Sequence, residues 1–186
     1  IPEGGVGGGW QTVLRSKSIY GPYEKRVVLE QGSTSVNGPH QGALVDTPHG
    51  EWWFFHFQET PALGRVVHLQ PMHWQDDWPV IGVDIDRNGI GEPVKVWPKP
   101  IVVGKTIQPR LPQTSDDFED AVLSPQWQWN HNPANEAWSL TEHKGQLTLH
   151  GLRADDFKKA RNTLTQKVMG YMSEATAVFD VTHLTE

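Results

Sequence analysis

Residues 37–57 read NGPHQGALVDTPHGEWWFFHF, and this pattern decides the fold. Residues 41–46 and 51–57 are rich in β-branched and aromatic side chains, and Thr47-Pro48-His49-Gly50 between them has the composition of a tight turn. The stretch predicts a β-hairpin. His40 stands at its entry, where Asn37-Gly38-Pro39 restricts the backbone and presents the ring at the start of the first strand.

Outward from the hairpin the same texture continues. Residues 11–16 predict a short strand after the glycine-rich segment 4–9, residues 18–24 hold a Gly-Pro turn, and residues 65–70 and 77–81 predict further strands. Strands spaced by about eight to twelve residues, with no amphipathic helix among them, indicate an all-β protein. From 97 to 113 the texture changes: Pro98, Pro100, Pro109 and Pro112 surround a short apolar run, 101–103, and mark a domain boundary. Strands are expected again at 126–129, 138–141, 146–150, 162–167 and 175–181, forming a second β domain of sandwich type. Residues 155–160 have room for one helical turn.

Composition narrows the function. A chain of 186 residues with 37% hydrophobic content supports a real core, as one large domain or two small ones. The net charge is −6 and the basic residues are scattered, so nucleic acid is not an expected partner. The absence of cysteine removes disulfides, thiolate metal sites and cysteine nucleophiles. No apolar run approaches the roughly 18 residues of a membrane span, so no membrane partner is expected, and residues 1–10 lack a basic start followed by an apolar stretch. The first residue is isoleucine, which leaves the natural N-terminus open, and with it the choice between a cytoplasmic and a secreted bacterial protein. A homo-oligomer is compatible with the sequence. Nine tryptophans are the outlier. They serve core packing and strand propensity, or they offer flat faces on which sugar rings lie.

Several side chains have two readings. His40 is a hydrogen-bonded structural residue or a ligand, direct or through water, for a cation at a propeller or barrel axis. Arg65 follows Gly64 at the head of an apolar strand, where a guanidinium fork clamps a carboxylate or sugar hydroxyls unless it is simply solvated. Residues 84–89, DIDRNG, imitate the start of a calcium loop, but Lys95 stands where the bidentate acid belongs, so a polar hairpin tip is expected. Asp116, Asp117, Glu119 and Asp120 are expected to form a solvated face. His68 and His73 are expected on adjacent strands, without further ligands at zinc spacing.

GPYE at 21–24, the segments 37–45, 50–57 and 64–71, WQWNHNP at 127–133 and ARNTLTQ at 160–166 together resemble glycoside hydrolase family 43. The similarity is to the β-xylosidase and α-L-arabinofuranosidase type with a C-terminal β-sandwich, and its motifs follow in order along almost the whole chain. The resemblance implies the end of a five-bladed β-propeller, late blade four and blade five, over residues 1–108, followed by part of a concanavalin-like β-sandwich over residues 109–186.

It further implies release of xylose or arabinose, with inversion, from the non-reducing ends of xylo- and arabino-oligosaccharides. Calcium at the propeller axis is the implied cofactor, with His40 holding it or its water shell. Arg65 corresponds to the arginine of the −1 subsite, and Gln41 and Trp10 are weaker candidates for the pocket lining. The family's base, its orienting aspartate and its acid are all expected before Ile1, so no catalytic residue is expected in this segment. Glu3 is the residue open to confusion with the acid; the family acid precedes a further strand, which Glu3 is expected to follow. A non-catalytic carbohydrate-binding β protein is the rival that the aromatic content would equally suit.

Overall fold

The hairpin expected from residues 41–57 begins one sheet, with its first strand at the edge. In the computed structural model, which describes residues 1–102, 104 and 108–184, β4 (His40–Asp46) pairs antiparallel with β5 (Trp52–Thr60). The Gly50 N–H donates to Thr47 O at 2.9 Å and closes the turn. β6 (Gly64–Gln75) and β7 (Trp78–Ile81) extend the sheet in the order β4-β5-β6-β7, a simple meander. Ahead of it lies a second sheet, β1-β2-β3, built from β1 (Pro2–Glu3), β2 (Trp10–Arg15) and β3 (Glu24–Leu29).

Val28 and Leu29 of β3, Phe54 of β5, Met72 of β6, and Trp78 and Ile81 of β7 form one buried cluster that joins the two sheets. Truncating a side chain such as Phe54 to alanine there costs about 3–5 kcal/mol, from lost burial and the cavity left behind. The segment after β7 returns to the core: Val83 bridges Glu92, and Leu29 bridges Gly91. Residues 84–89 therefore form a loop tip, in which Asp84 Oδ2 accepts from the Gly89 N–H at 2.9 Å and Asp86 Oδ1 from the Asn88 N–H at 3.2 Å.

The chain divides into two compact units, Ile1–Thr106 and Ile107–Glu186. In the second, β8 (Trp127–Trp129) pairs with β11 (Leu164–Gln166), and β9 (Trp138–Ser139) with β10 (Thr148–Leu149). Single 3-10 turns lie at Asn135–Ala137 and Phe157–Lys159. Buried Asn162 ties this unit together: Oδ1 accepts from Ala134 N at 2.8 Å, while Nδ2 donates to Ala134 O and Ala137 O, both at 3.1 Å. The Trp129 and Trp138 rings meet at 5.2 Å.

Several expectations are corrected. β3 carries Glu24, Lys25 and Arg26 at its start, charges that hide a strand from pattern reading, yet cross-strand ion pairs accommodate them: Arg15 with Glu24 and Glu3 with Lys25, each at 2.7 Å. Residues 175–181 form no strand; their β-branched side chains have no ladder partner among the described residues, and Val178 and Phe179 are exposed. His68 and His73 share β6 rather than adjacent strands, and their odd spacing turns them to opposite faces. Asp116 is not merely solvated, since its Oδ2 accepts from Trp127 Nε1 at 2.8 Å. Burial opposes ionisation of this carboxyl, but bonds from the Phe118 N–H, the Trp127 indole and Ser124 hold it below the usual range. The apolar run 101–103 ends outside the described residues.

Candidate functional site

Three of the sequence candidates meet at the end of the sheets where β4 begins, β5 ends and β6 starts. His40 is buried at 2% exposure. Its Nδ1 lies 2.7 Å from Gly38 O, and since a carbonyl only accepts, Nδ1 is the donor and the lone pair of the neutral ring sits on Nε2. The His40 ring packs on Phe57 at 5.7 Å, and on the same Phe57 ring lies the Arg65 guanidinium, its carbon 4.6 Å from the centroid. Arg65 is paired with Glu59 in the β5-β6 ladder and is exposed, so its donors remain available to a ligand.

The glycine-rich segment 4–9 closes the other side. Gly9 packs so tightly that a Cβ would stand 2.8 Å from His40 Cε1 and 2.5 Å from Glu3 O, which is why no larger residue fits. Asn37 Nδ2 donates to Gly7 O at 3.3 Å. Trp10 is half-buried, with its indole N–H donating to Glu3 Oε2 at 3.1 Å. Glu3 is on β1, with β2 and β3 after it in the chain. The Lys25 ammonium, in contact at 2.7 Å, holds the Glu3 carboxyl below the usual range, helped by the Trp10 indole and opposed by burial. In this arrangement Glu3 is an anion at neutral pH.

Gln41 takes a different position from its neighbours. Between the pairs His40↔Phe57 and Ala43↔Phe55 the register shifts, and β4 carries one extra residue. Gln41 sits in this bulge at φ 55° with an exposed side chain, next to His40 but off the regular pleat. The half-buried Trp10 ring, hydrogen-bonded to the Glu3 carboxylate, and the exposed Arg65 guanidinium, seated on the buried Phe57 ring beside His40, are the groups this end of the sheets presents. That combination suits a neutral polyhydroxylated ligand, with stacking on Trp10 and forked hydrogen bonds from Arg65. Phe57 and Gly9 were not singled out by the sequence; the aromatic run WWFF and the glycine segment were its only signals for them.

A calcium ion takes six to eight oxygen ligands. His40 offers a single imidazole, and the described residues contain no grouping of three or more His, Cys, Asp or Glu side chains able to hold a metal. Among the described residues such side chains do not assemble a calcium site, and His40 would fit one as a contact to its water shell.

Comparisons with known proteins agree on one family. Residues 1–79 match the model described as glycosyl hydrolases family 43, and residues 115–186 match the β-xylosidase C-terminal concanavalin A-like domain. A Xylanibacter ruminicola protein that carries a provisional β-xylosidase name is 66% identical over 95% of this chain and 33% of its own length. A β-xylosidase of Formosa agariphila is 44% identical over 92% of the chain and 33% of its own length. A non-reducing-end α-L-arabinofuranosidase of Bacteroides ovatus is 31% identical over 97% of the chain and 34% of its own length. Among solved structures, the family 43 protein BlXynB of Bacillus licheniformis aligns with TM-score 0.70 and 31% identity, over 90% of this chain and 34% of that one. The chain spans about a third of the length of the curated relatives it matches.

Proposed function

Since the chain belongs to glycoside hydrolase family 43, its second part matching that family's β-xylosidase C-terminal domain, we propose that the protein containing it releases xylose, arabinose or both. The substrates are the non-reducing ends of xylo- and arabino-oligosaccharides, and the reaction proceeds with inversion. The observation that carries this reading is the convergence of His40, Phe57 and Arg65 on one mouth at the end of the sheets, with Gly9 packed on His40 and Trp10 next to it in the chain. Relatives named as β-xylosidase and as α-L-arabinofuranosidase support both pentoses.

In the proposed architecture β1–β3 end blade four of a five-bladed propeller and β4–β7 form blade five, with the domain boundary after residue 108. Inversion needs a protonated acid on the glycosidic oxygen and a carboxylate that activates water on the opposite face, about 6.5–9.5 Å apart. The base, the aspartate that orients the acid, and the acid itself are proposed to precede Ile1. Arg65 occupies the −1 subsite, where its fixed charge keeps the base ionised and its donors hold sugar hydroxyls. Trp10 supplies a stacking face and Gln41 a polar contact at the rim. Calcium belongs to the proposal as an axial ion whose water shell His40 supports, and no step depends on it.

Glu3 is not given the acid's role in this proposal. The family acid precedes a further strand, which Glu3 on β1 is taken to follow. Paired with Lys25 it is ionised, the wrong state for an acid.

The test is hydrolysis of aryl β-D-xylopyranosides and aryl α-L-arabinofuranosides by the full-length parent and its variants. Arg65→Ala is expected to lower turnover by orders of magnitude while the thermal midpoint stays within a few degrees. Glu3→Gln is expected to leave turnover of xylobiose within a few-fold of wild type. Loss of xylobiose turnover in Glu3→Gln, with substrates bearing activated leaving groups spared, would instead make Glu3 the acid. A parent that cleaves neither pentoside would favour the non-catalytic carbohydrate-binding reading.

A further inference from the structure

The opposite end of the β5-β6 ladder carries a second aromatic assembly that the mouth does not use. An open-sided cleft of about 450 Å³ is lined by Glu51, Trp52, Trp53, His73, Trp74 and Trp97, among others. That size lies within the range of about 300–1,000 Å³ found for small-ligand sites. Trp52 and Trp74 meet edge to face at 5.5 Å and 86°, making a corner of two perpendicular indole planes. Trp74 and Trp97 are each 48% exposed, so both keep large aromatic surface open to a ligand. Trp53 is 5% exposed, and its indole N–H has no hydrogen-bond partner among the described residues.

Glu51 is held in place by Thr47 Oγ1 at 3.3 Å and by the Ile101 N–H at 2.7 Å, both donating to its Oε2. From the Trp52↔Met72 pair to the Glu59↔Arg65 pair is seven ladder steps, roughly 23 Å at the strand rise. The cleft is therefore separate from the mouth.

We propose that this cleft is a non-hydrolytic binding site for a xylan backbone. The inference rests on the pentoside-hydrolase reading above for its choice of polysaccharide. A β-1,4-linked xylopyranose ring has no hydroxymethyl arm, so both its faces are flat arrays of C–H groups that lie against an indole. Its hydroxyls are free to donate to Glu51, the carboxylate among the lining residues. Glu51 is the only carboxylate among the lining residues, whereas glycoside hydrolysis takes a pair flanking the bond. The site therefore holds the chain without cleaving it and keeps the protein on its polymer while the mouth works at chain ends.

Retardation of the full-length parent in native gels containing soluble arabinoxylan tests this, with aryl-xyloside turnover measured beside it as the control read at the mouth. Trp74→Ala and Trp97→Ala are each expected to weaken xylan retention about tenfold, as loss of a buried aromatic anchor does. Trp74→Phe, which keeps a stacking face, is expected to retain most of it. Should Trp74→Ala fail to fold, Trp97→Ala carries the same test. A parent that hydrolyses aryl xyloside but is not retarded, or whose retardation the variants leave unchanged, sinks the cleft alone. A parent retarded by xylan and released by the variants, yet inactive on both aryl pentosides, keeps the cleft and sinks the hydrolase reading.

Discussion

At the scale of single residues, His56 shows how the sheet spends a polar group in its core. The ring is 3% exposed, stacked on His68 at 5.3 Å and on Phe54 at 6.2 Å. Nδ1 lies 3.1 Å from Phe57 O and Nε2 lies 3.2 Å from Gln70 Nε2. A carbonyl accepts and an amide NH2 donates, so Nδ1 carries the proton and Nε2 takes the Gln70 bond. The neutral ring fits both partners and the cation does not. Burial lowers its pKa from 6.5 to about 4, partly opposed by the Phe57 carbonyl and reinforced by His68 and His40. Between those two values the unfolded chain binds the proton that the folded chain refuses. The contribution of His56 to stability is then complete above pH 6.5 and falls away as the pH drops toward 4, a loss of about 3 kcal/mol. Burial also lowers the His68 pKa, so it acts in the same direction. Urea midpoints taken from pH 7 to pH 4.5 are expected to fall steadily for the wild-type chain and less steeply for His56→Gln, which keeps an acceptor for Gln70. Equal slopes in the two proteins would remove His56 as the titrating group.

Among the elements, β4 is the one whose irregularity carries function. Its bulge displaces Gln41 from the pleat directly beside His40, and Gly42 is the residue that permits it: a Cβ there would collide with the Phe55 carbonyl and the Phe54 ring. Gly42→Ala is expected to destabilise the protein by about 1–3 kcal/mol, the usual penalty for forcing a methyl into packed structure, and to lower the thermal midpoint by several degrees. A midpoint equal to wild type would mean that β4 relaxes its register at no cost. The hairpin itself was legible in the sequence because two runs rich in β-branched and aromatic residues and a Thr-Pro-His-Gly turn between them pointed the same way. The bulge was not, because a glycine inside a strand pattern signals close backbone approach without saying against what. β3 was hidden for the converse reason. Its three leading charges look like a loop until their partners on neighbouring strands are known. His40, Arg65 and Trp10 could be nominated from type and position, but their meeting through Phe57 and Gly9 depends on contacts between segments far apart in the chain.

For the molecule as a whole, the all-β class and the change of texture near residue 100 were legible, whereas much of the second unit was not. Its ladders are two or three residues long, and the apolar residues from 168 to 181 lie exposed rather than in strands. β propensity specifies a strand only when a partner is present to pair with it. The first unit shows the same dependence at its edge. β4 ends the four-stranded sheet, and Val45, Phe55 and Val67 share one face of that sheet at 41%, 44% and 68% exposure. An open edge beside an apolar face is a template for pairing with another chain. In the proposed propeller, further blades of the parent cover both. The 186-residue chain by itself is therefore expected to self-associate as its concentration rises. Light scattering coupled to size exclusion measures this, and Phe55→Lys with Val67→Lys is expected to suppress the association by placing charge on the exposed face. A chain that stays monomeric at every concentration would show that this face and edge need no cover, and would remove the physical reason for placing the sheet inside a larger propeller.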